Sequence, residues 1–200
     1  GCGRSNYVLE MNRDSIKRIV GVDVAKEATD GNTLADEIVV SDLEKLPFPD
    51  NSFDAVTSLW VLEHVHQPNR IFSEISRVLK PGGRFFFETP YSFSYILLGK
   101  RLVGGKLNQL ILKKLYGRTE DDTFHTDYLA NTPEDLRKLL ANAGMKEVLL
   151  VENPDPSYLA FNGLFFRISL LIQGIAKFFR SRIATMHLIG VWEKPMTESK

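Results

Sequence analysis

The stretch "SDLEKLPFPDNSFDAVTSLW" (41–60) decides how the rest of the chain is read. Its last eight residues, "FDAVTSLW" (53–60), form a short apolar, β-branched run with the composition of a strand. Its first two residues close another such run, "DEIVVSD" (36–42), whose last residue is the acid Asp42. Between the runs lies a turn-rich connection with Pro47, Pro49, Asp50 and Asn51. The pattern repeats outward. "RIVGVDVA" (18–25) is an apolar run that carries Asp23 near its end, and "GRFFFETP" (83–90) is one stopped by Pro90. Continuous apolar runs, rather than strict alternation, predict strands covered on both faces. "PNRIFSEISRVL" (68–79) lies between two of them. It has Pro68 in the first helical turn and Ile71, Ile75, Val78 and Leu79 along one face. "KPGG" (80–83) is expected to stop this helix. Alternating strands and helices predict an α/β fold with a mostly parallel sheet.

Further on, "NTPEDLRKLLANAG" (131–144) predicts a helix with Thr132 as N-cap, Pro133 at the first position and Asp135 reaching back. Gly144 stands where a left-handed C-cap is needed. "KEVLLVE" (146–152) and "HLIGVWEK" (187–194) predict two last strands that close the sheet with an antiparallel C-terminal edge. The expectation is a single domain over 1–200. It carries a helical lid at about 91–130 and an apolar helical insertion at about 157–184.

The totals exclude several classes. The 25 basic and 25 acidic residues cancel, so bulk charge draws the chain to no nucleic acid. The single cysteine, Cys2, allows no internal disulfide, and no His/Cys/Asp cluster has metal-ligand spacing. No uninterrupted apolar stretch of about 18 residues exists to span a bilayer. The expected setting is the cytoplasm, with peripheral contact to a membrane surface.

Ligands of open α/β sheets bind beyond the carboxyl ends of the strands. "GCGRS" (1–5) supplies close backbone approach and free amides, although paired glycines are also common in turns. Asp23 follows at about 20 residues, the distance at which an acid reaches two ribose hydroxyls. Asp42 ends the next strand, where an acid can accept an adenine amine. Taken singly, either acid is equally well a surface or capping residue. Their succession on consecutive strand ends is what marks them.

"GCG…GVD…SDLEKLPFPDNSFDAVTSLWVLEHV…FSEISRVLKPGGRFFF" resembles the class I S-adenosylmethionine-dependent methyltransferases of the bacterial small-molecule type. The resemblance covers roughly residues 1–90, then the 125–145 helix region and the final strands. "LPFPDNSFDAV" and "RVLKPGG" are its most specific parts. It implies a Rossmann-like sheet of order 3-2-1-4-5-7-6 and S-adenosylmethionine as cofactor. Gly1 and Gly3 would approach the cofactor's methionine part, and Asp23 would bind the ribose. Asp42 and the Leu43 backbone would hold the adenine, and Leu59 and Trp60 would line the methionine end. The family's first strand and the acid before its glycines have no counterpart, and its third glycine is Ser5 here. "GCGRS" is therefore expected to be an internal loop exposed by truncation.

The implied reaction is methyl transfer to a small-molecule acceptor such as a lipid, quinone or sugar. His64, in "VLEHVHQP", and His125, in "DTFHTDYL", are the candidate bases; Tyr128 either orients substrate or packs, and His66 is structural. The alternative is a methyltransferase-like binding or scaffold protein without catalysis. A nicotinamide dehydrogenase shares glycines and acid but needs a full GxGxxG. A nucleic-acid base methyltransferase is disfavoured because "LWVLEHV" stands where an Asp/Asn-Pro-Pro-aromatic stretch would be. One segment stays unassigned. "YLAFNGLFFRISLLIQGIAKFFRSR" (158–182) places Asn162, Ser169, Gln173, Lys177 and Arg180 in one stripe, and the rest is mostly apolar. It is either a buried lid helix or an exposed face for an apolar acceptor or a membrane surface.

Overall fold

The computed structural model describes residues 1–103 and 126–196. The expected runs all form strands: β1 Val20–Asp23, β2 Glu37–Val40, β3 Phe53–Leu59, β4 Leu79–Pro90, β5 Lys146–Asn153 and β6 His187–Glu193. The helices are α1 Tyr7–Met11, α2 Pro68–Val78, α3 Tyr95–Val103, α4 Pro133–Asn142 and α5 Gly163–Phe178. Much of the lid expected at 91–130 lies outside the described residues; α3 is the part of it that is seen.

The strands form two sheets. β1 and β2 pair in parallel, and the larger sheet has the order β3-β4-β6-β5. β3 and β4 are parallel, whereas β6 runs antiparallel to both β4 and β5. The antiparallel C-terminal strand thus sits one place in from the edge strand β5. Between β1 and β3 runs an apolar trough of about 730 Å³, walled by Val20, Val22, Val56, Leu59, Ile75 and Val78 among others. No described strand occupies it.

The core lies under the larger sheet. α2 and α4 press Phe72, Ile75, Leu136 and Leu140 onto Phe85, Phe87, Leu188 and Trp192. Phe87 and Trp192 stack at 5.4 Å, and Gly190 lies against both rings. A Cβ at position 190 would stand 2.6 Å from Phe87 Cε1 and from Trp192 Cζ3. Neither ring has room to yield, so Gly190→Ala is expected to lower unfolding free energy by about 2 kcal/mol. A urea melt of both proteins measures it.

Local signals hold where the chemistry is local. Thr132 Oγ1 accepts from the Asp135 amide at 3.0 Å and donates to Asp135 Oδ2 at 2.6 Å, so the capping box closes through the hydroxyl. Gly144 has φ +75°, the left-handed turn that ends α4. Helix α2 stops at Val78, just before "KPGG", as expected, and the chain passes straight into β4, where the Gly82 and Lys194 amides pair with Lys194 and Gly83 carbonyls. One expectation needs correction: strands are not all covered on both faces. Ile38 and Val40 of β2 and Val148, Leu149 and Val151 of β5 are exposed, because both are outer strands with one face left open.

The specific "LPFPDNSF" segment owes its shape to Arg77. Its guanidinium donates to the Leu46 and Phe48 carbonyls at 3.0 and 2.7 Å and meets Asp50 Oδ1 at 2.9 Å. Glu74 braces the same guanidinium and accepts the Leu46 amide at 2.8 Å. This fastens the connection after β2 to α2 and fixes where Asp42 and Leu43 stand.

Candidate active site

Asp23 ends β1 and is only 6% exposed. Its Oδ2 accepts the Gly3 amide at 3.0 Å and its Oδ1 the Ala25 amide at 3.2 Å. Burial raises the carboxyl pKa, but the Gly3 and Ala25 amides, with the nearby amine charge of Gly1 and the Val24 amide, together hold the group below its ordinary value. Gly3 takes φ +47°, which aims its amide at the carboxylate. The loop is fastened across the strand end by the Cys2 amide on the Val22 carbonyl and by Asn32 Nδ2 on the Gly3 carbonyl, each 2.8 Å. Gly1 is a packing glycine: a Cβ there would lie 2.9 Å from Val61 Cγ2. The loop therefore reaches from β1 to the residues after β3.

Asp42 follows β2, next to Asp23, since the Ser41 amide donates to the Asp23 carbonyl at 2.9 Å. Asp42 is exposed, and its Oδ1 takes the Glu44 amide at 2.9 Å. Leu43 is half-buried and packs against the main core. Across the trough, Leu59 ends β3 and Trp60 follows with φ 58°. A left-handed tryptophan is strained by roughly 1–2 kcal/mol. Its amide donates to the Glu88 carbonyl at 3.0 Å, and its ring stands edge-on to His187 at 4.7 Å.

His64 is half-buried in a single turn after Trp60, with Nε2 3.9 Å from Glu63 Oε1. His66 is exposed and bonds Asp127 through Nδ1. His125 lies outside the described residues. Tyr128 is half-buried, with φ 54° and the Arg101 guanidinium 6.0 Å above its ring. The sequence reading missed a second constellation at the same end of the sheet. Glu88 and His187, both buried, come from β4 and β6. His187 Nδ1 lies 3.2 Å from Glu88 Oε1, and Nε2 lies 2.8 Å from the Tyr158 hydroxyl. Tyr7 donates to Glu88 Oε2 at 2.6 Å, which pushes the Tyr7 pKa up to about 12.

A family model described as a methyltransferase domain matches residues 1–87. A methyltransferase structure from Methanosarcina mazei superposes with a TM-score of 0.63 at 18% identity, covering 98% of this chain and 91% of that one. Over residues 1–87 the chain matches the methyltransferase-domain family, and it shares the fold of solved S-adenosylmethionine-dependent methyltransferases. Among curated proteins, it is 28% identical over 171 residues to the rat mitochondrial arginine-hydroxylase NDUFAF5, spanning 82% of this chain and 46% of that protein. It is 40% identical over 81 residues to the Pseudomonas putida ubiquinone/menaquinone biosynthesis C-methyltransferase UbiE, or 34% of this chain and 32% of that one. The chain thus spans less than half the length of these curated relatives.

The strand-end residues fit the cofactor of the matched methyltransferase-domain family. Each Asp23 oxygen has one amide partner and keeps a lone pair for a vicinal diol. Asp42 Oδ2 has no partner among the described residues and stands one strand further out, where an adenine amine would come. Trp60 and Leu59 give the opposite end an apolar wall.

The constellation also makes the fold sensitive to acid. Burial, against the pull of Glu88 and Asp155, keeps the His187 pKa below its ordinary 6.5. The unfolded imidazole then takes a proton at a pH where the folded one does not. Stability is full above about pH 6.5 and is lost as pH falls below it. Urea midpoints measured from pH 8 to pH 5 should decline over the acid half of that range, with a shallower decline in His187→Phe.

Proposed function

We propose that the chain transfers a methyl group from S-adenosylmethionine to a small apolar acceptor of the quinone or lipid type. The observation that carries the cofactor half is the buried Asp23 carboxylate, pre-aimed by Gly3 and Ala25 with lone pairs to spare. Asp23 binds the ribose, Asp42 and the Leu43 backbone hold the adenine, and Gly3, Leu59 and Trp60 bound the methionine end. Bound there, the cofactor supplies a methyl group already activated on a sulfonium. What remains for the protein is positioning, exclusion of water and removal of an acceptor proton.

His187 suits the last task. Its lowered pKa keeps the imidazole neutral, and Glu88 beside Nδ1 favours the tautomer with the proton on that nitrogen. Nε2 is then the acceptor, and Tyr158 carries the acceptor's proton to it through its half-buried hydroxyl. His64 is the alternative base, next in line after Trp60.

The acceptor class is supported by a UbiE relative named for quinone biosynthesis. A further relative, 35% identical over 94 residues, is a Caenorhabditis elegans sterol 4-C-methyltransferase. A solved geranyl diphosphate C-methyltransferase from Streptomyces coelicolor shares the fold at TM-score 0.62. The test is methyl transfer from labelled cofactor to a panel of quinol, sterol, prenyl and sugar acceptors. Label entering an apolar acceptor supports the reading. Cofactor binding with no transfer to any of them would point instead to a binding protein.

A further inference from the structure

Helix α5 is turned inside out. A helix on a water-soluble domain ordinarily buries its apolar stripe. Here the residues facing the protein are Ser169 and Ala176, both buried, with Ile172 and Gln173 beside them. Ser169 Oγ bonds the Tyr95 hydroxyl of α3 at 3.0 Å, and the buried Gln173 Nε2 has no partner among the described residues. The opposite side carries Leu164, Leu171, Ile175 and Phe178, which are 67%, 63%, 50% and 81% exposed. Phe165, Ile168, Leu170 and Phe179 extend the open surface on both flanks. Packing against the described residues therefore does not account for the apolar residues of α5. A continuous exposed patch of this kind marks a contact surface.

The charges around it say with what. From Pro156 to Trp192 the chain has no Asp or Glu, but it has Arg167, Lys177, Arg180 and Arg182. Arg182 is occupied by Glu134 and Glu152. Arg167, Lys177 and Arg180 make no ion pair among the described residues. Lys177 and Arg180 stand at the C-terminal end of the apolar face, and Arg167 lies within it between Leu164 and Leu171, where its long stem can reach out past the apolar residues, as on an interfacial helix. The apolar face enters the headgroup boundary, and the basic stems reach back to anionic groups. At 16 residues α5 is about 24 Å long, and no described helix is long and apolar enough to cross a membrane.

We propose that α5 docks the protein on the surface of an anionic lipid bilayer, lying in the plane of the interface. The docking is independent of whether the chain transfers a methyl group. The probes are vesicles of phosphatidylcholine alone and of phosphatidylcholine with phosphatidylglycerol, co-sedimented with the full chain at low and high salt. Binding is expected to the anionic vesicles and to weaken with salt. Leu171→Ser with Phe178→Ser should reduce partition at least about ten-fold, and Lys177→Glu with Arg180→Glu should abolish the preference for anionic lipid. All four side chains are exposed, so circular dichroism and the melting temperature should stay those of the unchanged protein. Sedimentation equilibrium without lipid covers the competing occupant, a second copy of the chain. The proposal is overturned if the unchanged protein ignores anionic vesicles, or if the double-serine variant binds them equally well. It is also overturned if the substitutions dissolve a dimer while vesicle binding is absent.

Discussion

Asp23→Ala is expected to weaken S-adenosylmethionine binding about a hundred-fold, close to 3 kcal/mol. A vicinal diol makes two hydrogen bonds to an ionised carboxylate, and bonds to a charged group contribute about 1.5 kcal/mol or more each. The same carboxylate also orients the Gly3 amide, so its loss releases the loop that covers the end of β1. Asp23→Asn separates the two contributions. The amide keeps one acceptor oxygen for Gly3 or the diol but carries no charge, so its affinity should fall between those of the alanine variant and the unchanged protein. Calorimetric titration reads both. Equal affinity in all three proteins would remove Asp23 from the cofactor site.

Removing the proton acceptor should act on turnover and not on cofactor affinity. Tyr158→Phe and His187→Ala are each expected to lower kcat by about 10²-fold or more, with the cofactor Kd nearly unchanged. The pair acts as one unit, so the double variant should be little worse than either single variant. His64→Ala is the parallel arm. A loss of that size there, with the other two near normal, would assign the base to His64. Phenylalanine at 158 keeps the ring that packs on His187 at 5.4 Å, so a loss in that variant reports the hydroxyl and not the packing.

The strands, α2 and α4 were legible because their signals are local. An apolar run, Pro68, Thr132 and Gly144 act over a few residues, and the structure keeps each where it was expected. Asp23 and Asp42 were legible for a related reason: parallel neighbours put successive strand ends side by side. The Glu88–His187–Tyr158 constellation was not. It exists only because β6 runs back along β4 with Pro90 opposite His187, a register that nothing near either residue announces. A hint was available in "FFFETP" and "MHLIGVW", where one charged or titratable group interrupts an otherwise apolar strand. The orientation of α5 was illegible in a different way. A helical wheel separates its polar stripe from its apolar face, but which of them turns inward depends on Tyr95, far away in the chain.

The trough between β1 and β3 divides the proposed cofactor residues into two banks. Asp23 and Asp42 stand on one, Leu59 and Trp60 on the other. Ties across it among the described residues are Tyr7 to Glu88 Oε2 at 2.6 Å, Asn6 Nδ2 to Thr57 Oγ1 at 3.3 Å and the contact of Gly1 with Val61, with the Arg77 clamp holding the connection after β2. A nucleoside with an amino-acid tail that touches both banks is therefore a strut as well as a reagent. Whatever free energy it gains by bridging is added to the cohesion of the fold. The β1–β2 pair, a sheet separate from the larger one among the described residues, is where that bracing will be felt.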